Sequence, residues 1–343
     1  MFNLALSSKI HAALSQLLTA KEYHSLIEQN DLKGFYKTLS GFPRYRRLPN
    51  LEEQEVTRIR IEDIIYENRI TEYLRFVNFS FSGTKSFLIE LSRKFELDNV
   101  KLVIRQKLQG KEISKDQIAN LQHLALLDAA KLVEARSVEE LAETLKHTSF
   151  YRPMTEAIPL YKETKNALIL ESVLDYQHWK NVVTKARALS LMDILAVGQH
   201  LEIETSAFNV SWIYRGKFLL GLQNEQITPH LLSTNRNEEK KFYDSLISAQ
   251  TVNAFFDFIK NSKYKEILPN TAEAELRPGE FHLALQKYLL KRTRDMKALF
   301  PFSVSRAIVL WKCIEFETQN LSTICESIYY KKNKDEIFKY LLV

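Results

Sequence analysis

Among the side chains able to do chemistry, Asp175-Tyr176-Gln177-His178 comes nearest to a metal-ligand pattern, as the one acid-x2-His spacing in the chain. A di-iron or di-manganese helical bundle needs two such pairs and two further glutamates, so a single pair reads as a surface arrangement. No metal and no cofactor is expected. Neither Gly-x4-Gly-Lys-Ser/Thr nor Gly-x-Gly-x2-Gly occurs, which excludes the phosphate-cradling loops of those types. Cys313 and Cys325 lack Cys-x2-Cys spacing and nominate no nucleophile. Twelve residues apart in one helical stretch, they lie about 18 Å apart at ~1.5 Å per residue, beyond disulfide reach.

Basic clusters occur at Arg44-Tyr45-Arg46-Arg47, Lys291-Arg292-Thr293-Arg294 and Lys331-Lys332-Asn333-Lys334. Acidic neighbours or adjoining turns make each a solvated face in this reading, not a nucleic-acid surface. Phe255, Phe256 and Phe258 follow a helical pattern without interleaved arginines and read as core.

The elements that would carry these residues are helical. Gly and Pro number only eight each in 343 residues, too few turn formers for a barrel or sandwich of many hairpins. A 45% apolar and 26% charged composition is that of a globular chain, and a net charge of +6 is mild for this length. The longest stretch free of Asp, Glu, Lys and Arg runs from Ser245 to Phe256, short of the ~20 apolar residues of a spanning helix. Met1-Phe2-Asn3-Leu4 does not open a basic-then-apolar leader, and the expectation is a soluble cytoplasmic chain.

From Ile118 to Leu145, apolar residues recur three or four apart, the spacing of an amphipathic helix. Turn punctuation falls at Gly41-Phe42-Pro43, Leu48-Pro49-Asn50, Tyr151-Arg152-Pro153, Ile158-Pro159, Thr228-Pro229, Leu268-Pro269-Asn270, Arg277-Pro278-Gly279 and Phe300-Pro301. Phe76-Val77-Asn78-Phe79-Ser80-Phe81 alternates like a strand but has no partner nearby, and reads as a loop flanking a helix.

The chain repeats itself. Asn99-Val100-Lys101-Leu102-Val103-Ile104-Arg105-Gln106-Lys107 lies over Asn209-Val210-Ser211-Trp212-Ile213-Tyr214-Arg215-Gly216-Lys217 and over the run from Asn320 to Glu326. Glu96 and Glu317 precede the first and third copies where the second has Ser206; Arg105 and Arg215 match where the third has Glu326. A second block recurs at Leu32–Leu39, Val138–Leu145 and Val252–Ile259, the last two running on to Phe150 and Tyr264. A third recurs at Ile61-Glu62-Asp63-Ile64-Ile65-Tyr66 and Leu170–Tyr176. Three units, 1–118, 119–229 and 230–343, fill the chain. Asparagine is a poor mid-helix residue because its amide competes with the backbone. Its return in each copy points to a repeated side-chain hydrogen bond, so Glu96, Asn99, Arg105, Asn209, Arg215, Glu317 and Asn320 are expected to be repeat-structural residues.

The run from Pro301 to Ile324, with Glu315-Phe316-Glu317-Thr318-Gln319-Asn320-Leu321 at its centre and Asp335-Glu336-Ile337 after it, resembles the C subunit of V/A-type rotary ATPases. The eukaryotic counterpart is the d subunit of the vacuolar proton pump. Glu96-Leu97-Asp98-Asn99-Val100-Lys101 and Leu17-Leu18-Thr19-Ala20-Lys21-Glu22-Tyr23 agree as well, and the likeness spans essentially the whole chain. The departures are Trp311-Lys312 in place of a Tyr-rich helix, Glu326 in place of a basic residue, and the missing acid before Asn209. The resemblance implies an all-α fold of three similar bundles in pseudo-threefold arrangement, a funnel with a central cavity. It implies a non-catalytic central-stalk connector that joins shaft subunits of the D and F type to the membrane proteolipid ring and passes torque between ATP turnover and ion transport. Such a connector sits peripherally on the cytoplasmic side, held through protein partners. The alternatives are a helical-repeat adaptor with soluble partners, and an enzyme whose site is assembled from Glu171, Asp175 and His178.

Overall fold

The computed structural model of the chain describes residues 4–121, 124–232, 237–268, 276–296 and 303–343. Its helices in chain order are α1 (Leu4–Leu14), α2 (Ala20–Ile27), α3 (Leu32–Gly41), α4 (Arg58–Asn78), α5 (Ser82–Leu108), α6 (Ala129–Glu134), α7 (Val138–Thr144), α8 (Tyr151–Thr164), α9 (Ala167–Ala186), α10 (Leu191–Tyr214), α11 (Asn224–Ile227), α12 (Asn237–Ser248), α13 (Val252–Lys260), α14 (Pro278–Asp295), α15 (Ser305–Tyr329) and α16 (Lys334–Tyr340). No strand occurs among the described residues; the fold is all-α. Residues group into two compact units, one made of Met1–Phe81 with Gln286–Val343, the other of Ser82–Leu285.

In the first unit α15 is the central element. Nearly every side chain from Ser305 to Thr318 is buried, the signature of a helix enclosed on all sides. It packs along α4, and α1, α2, α3 and α16 cover the rest. Leu26, Phe35, Leu39, Ile61, Ile65, Leu321 and Ile324 form one core there. In the second unit α5 packs along α9, α8 closes over α9 with α7 against α8, and α10 lies against α9 and α12. Val100, Val103, Leu141, Leu145, Phe150, Met154, Leu170 and Leu174 form one core there.

The second sequence block owes its helices to caps one residue upstream. Asp31, Ser137 and Thr251 each accept from the backbone N–H three residues on, at Gly34, Glu140 and Ala254, which occupies one of the orphan donors of a helix start. The turn after the helix repeats too. Thr148 and Ser262 donate back to Leu145 O and Ile259 O and accept from the N–H of Phe150 and Tyr264.

Several expectations are corrected. Residues from Ile118 to Leu145 do not form a continuous helix: a non-helical stretch precedes α6, and Ala135 breaks α6 from α7. Apolar spacing alone does not see that long-range side-chain bonds hold this backbone open. Pro153 and Pro159 do not mark turns; both lie inside α8. Pro153 falls in the first turn, where no N–H is required. α4 runs through Asn78, so half of the alternating Phe76–Phe81 segment is helix. Arg44 is not on a solvated face but buried, as is Tyr45. Phe255 and Phe256 are in the core, whereas Phe258 is exposed. Both cysteines are free thiols on α15, and burial pushes that of Cys325 up to about 12. Of the turns at Leu268-Pro269-Asn270 and Phe300-Pro301, the residues Pro269, Asn270, Phe300 and Pro301 lie outside the described residues.

Candidate functional site

Asn99, Asn209 and Asn320 sit inside the long helices α5, α10 and α15. Each directs both ends of its amide to the backbone of a single residue about twenty positions further on, Ala119 between α5 and α6, Leu232 after α11 and Leu342 after α16. Asn99 Nδ2 donates to Ala119 O and its Oδ1 accepts from Ala119 N, both at 2.9 Å. Asn209 pairs with Leu232 at 3.0 and 2.8 Å, and Asn320 pairs with Leu342 at 2.8 and 2.7 Å. An extended connection laid on a helix has no ladder partner for its peptide groups, and buried N–H and C=O groups must be paired. A primary amide is the one side chain that offers a donor and an acceptor side by side in the right fork.

A second row of contacts lies one turn earlier. Glu96 accepts from Leu126 N and, at 3.0 Å, from Leu127 N, just ahead of the cap of α6, and Arg93 pairs with it at 3.0 Å. Glu317 accepts at 2.6 Å from Leu18 N, just ahead of the Thr19 cap of α2, and at 2.7 Å from the Tyr45 hydroxyl. Ser206 cannot take this part; its hydroxyl instead bonds that of Tyr264 at 2.9 Å. The missing carboxylate is supplied from elsewhere: buried Glu239 pairs with Lys263 at 2.7 Å. Lys263 precedes Tyr264 as Arg44 precedes Tyr45.

Around Glu317 the electrostatics are tight. Arg44 bonds Glu72 and lies 3.2 Å from Glu317, so one guanidinium serves two carboxylates. Burial holds both acids above the usual carboxylate range against the pull of Arg44, and Glu317 raises Glu72 further. The Tyr45 and Tyr23 phenols are likewise held far above their ordinary value, first by burial and then by Glu317. Tyr23 also lies beside Asn320, and Tyr243 beside Ser206 and Asn209. Tyrosine is thus a recurring neighbour of the asparagine pairs. Alignment on the asparagines alone does not reveal Tyr23, Tyr45, Tyr243, Glu239 or Lys263. Their neighbour Tyr264 does leave a signal, matched to Phe150 at the end of the second block.

Beyond the asparagines, Arg105 grips Glu171 on α9 with two bonds of 2.7 and 2.6 Å. Arg215 lies half-buried where α10 passes into a π turn (Arg215–Leu219), beside His282 of α14, whose imidazole is lowered first by burial and then by Arg215. Exposed Glu326 lies within electrostatic reach of Arg58 and Glu62, which pair with each other at 3.0 Å. Lys107 and Lys217, at one position of the repeat, act alike: Lys107 donates to Val133 O at 2.8 Å, and Lys217 donates to Ile247 O, each at the end of a short helix. Trp311 packs against Tyr73 at 6.0 Å, and Lys312 pairs with Glu315 at 2.9 Å, with Arg69 on the same carboxylate.

Glu171, Asp175 and His178 follow one another at helical spacing on α9, with His178 in electrostatic reach of Asp175. Glu171 is taken by Arg105 and Asp175 by Lys101. Burial raises Asp175, and Lys101 more than offsets this, so its carboxyl is lowered. A cavity of about 520 Å³ in the second unit is lined by Arg152, Tyr176, Lys180, Trp212 and His230, and none of the three residues reaches its wall. No group of three His, Cys, Asp or Glu side chains among the described residues is placed to hold a metal ion.

Fold and site together define an all-helical protein in which three long helices each hold the backbone of a later residue through one asparagine. The chain belongs to the ATP synthase (C/AC39) subunit family, whose model matches residues 6–340. It is 22% identical over 326 residues to the C subunit of the A-type ATP synthase of Methanosphaera stadtmanae, covering 94% of this chain and 82% of that one. Against the corresponding C subunit of the A-type ATP synthase of Pyrococcus abyssi it is 22% identical over 326 residues, 94% of this chain and 85% of that one. No helix among the described residues is long and apolar enough to cross a membrane.

Proposed function

We propose that the chain is the non-catalytic central-stalk connector of a V/A-type rotary ATPase. In this reading it joins the shaft subunits to the membrane proteolipid ring on the cytoplasmic side and passes torque between ATP turnover and ion transport. The observation that carries the reading is the family match from residue 6 to residue 340, with relatives that are the C subunits of A-type ATP synthases.

The repeat gives the reading its mechanics. Three units, 1–118, 119–229 and 230–343, would surround a central cavity as a funnel, with Glu96, Asn99, Arg105, Asn209, Arg215, Glu317 and Asn320 serving the fold of each unit. A part that transmits torque must be stiff and needs no reactive group. Close-packed helices have low compressibility and transmit strain, and each asparagine pair ties a long helix to its connection by two hydrogen bonds. The test is a pull-down from detergent-solubilised membranes with the tagged full chain. Recovery of shaft and proteolipid subunits is expected; recovery of soluble proteins alone would overturn the connector in favour of an adaptor.

A further inference from the structure

The corners that lead into the motif helices carry large apolar side chains that are exposed. Leu191 and Met192, the first two residues of α10, are 73% and 68% exposed, and Leu195, one turn on, is 58% exposed. These are among the most exposed large apolar residues described. The same register recurs at the head of α5. Phe81 stands eighteen residues before Asn99, as Leu191 stands eighteen before Asn209, and it is 67% exposed. In the sequence Phe302 stands eighteen before Asn320 and lies outside the described residues. A large apolar residue at one repeat position, turned outward in both described copies, is not a packing requirement.

The corners are also basic. Lys185 and Arg187 are exposed on the approach to Leu191, and Arg75 is exposed on the approach to Phe81, with Arg75 and Lys185 both twenty-four residues before their asparagines. Lys9 lies over the ring of Phe79 at 4.0 Å. The acid at the α10 corner, Asp193, is turned inward: it is buried and bonded by the Ser190 hydroxyl at 2.7 Å. What faces outward is apolar surface rimmed by cations, the combination that partitions into the interface of an anionic bilayer.

We propose that the Leu191-Met192-Leu195 corner, and separately the Phe79–Phe81 corner, dip into the headgroup layer of an anionic membrane, with Lys185, Arg187 and Arg75 meeting lipid phosphates. This goes beyond the connector reading, in which the membrane is reached through protein, and it is tested without any partner. The purified full chain is spun with protein-free vesicles of phosphatidylglycerol and phosphatidylcholine, and with vesicles of phosphatidylcholine alone. Binding to the anionic vesicles, weakened by salt, is expected, with little to the neutral ones. The double variant Leu191→Ser/Met192→Ser, on exposed positions that leave the core intact, is expected to bind about tenfold more weakly with an unchanged circular dichroism melt. Equal binding of variant and parent would overturn the proposal, as would absence of binding to anionic vesicles. In the latter case, continued recovery of proteolipid in the pull-down would leave the connector standing with a protein surface as the occupant. Vesicle binding by a chain that recovers no ATPase subunits would uphold this proposal and remove the connector.

Discussion

Asn320 and Leu342, twenty-two residues apart, exchange two hydrogen bonds through one side-chain amide, at 2.8 and 2.7 Å. Replacement of Asn320 by Leu keeps the branched shape and heavy-atom count of the side chain and strands a buried N–H and a buried C=O, each costing about 1–3 kcal/mol. We expect Asn320→Leu to lower stability by about 2–6 kcal/mol in urea unfolding. Truncation after Leu341 removes the partner instead, so truncation and Asn320→Leu together should cost less than the sum of the two. Asn99→Leu and Asn209→Leu should act in the same direction. Unchanged unfolding midpoints in all three variants would refute the structural role of the asparagines.

A different behaviour is expected where charge is buried. Removing Arg44 leaves Glu72 and Glu317 facing each other without their shared cation, and breaking a buried pair of this kind costs about 3–5 kcal/mol. Both acids already have folded-state values raised above the ordinary one. Without Arg44 they rise further, because the guanidinium pulls both down. A raised carboxyl contributes stability that is fully present below its unfolded value and is lost as pH climbs through the folded one. The deficit of Arg44→Met should therefore be largest at neutral pH and shrink on acidification toward 4.5, the ordinary glutamate value. A deficit that grew on acidification would show that the two acids remain charged in the variant.

The acid missing before Asn209 permits a swap. Glu239 stands in for it, paired with Lys263 beside Tyr264, while Ser206 only reaches the Tyr264 hydroxyl. Glu239→Gln should destabilise by about 1–3 kcal/mol, since it weakens a charge-assisted bond at a buried oxygen. Adding Ser206→Glu rebuilds the Glu317–Tyr45–Arg44 arrangement from the first unit, and the double variant should recover part of the loss. A double variant worse than Glu239→Gln alone would show that the two neighbourhoods are not equivalent.

How much of this was legible in the sequence depends on how far each residue's partner lies from it. Scarce Gly and Pro sufficed for the all-α fold, because composition is local. The asparagine column was visible because the residue is out of place in a helix. The partners Ala119, Leu232 and Leu342 were not, since they bring only backbone to these bonds and any residue but proline can do so. The break before α6 was hidden for the same reason: Glu96 and Asn99 hold peptide groups between Ala119 and Leu127, and apolar spacing carries no trace of that. Arg44 was misread because its acids, Glu72 and Glu317, come from distant stretches of the chain, whereas a charge run is judged from its sequence neighbours.

Gly216 offers a last test, independent of any charge. It lies in the π turn after α10, in the place where α5 carries Gln106. A Cβ built on it would meet Ile227 Cγ1 at 2.9 Å and Cδ1 at 3.1 Å. Ile227 is fully buried, and its carbonyl accepts from Trp212 Nε1 at 3.0 Å, so the segment is held on both sides and has little room to withdraw. We expect Gly216→Ala to cost about 1–3 kcal/mol through overpacking, although alanine favours helix over glycine by about 1 kcal/mol. Ile227→Ala removes both offending atoms and leaves a cavity that costs about 2–5 kcal/mol by itself. Because the new methyl group would occupy part of that cavity, the double variant should be more stable than Ile227→Ala alone. Chemical unfolding of the three variants decides it: additive losses would mean that the two residues do not share the space between α10 and α11.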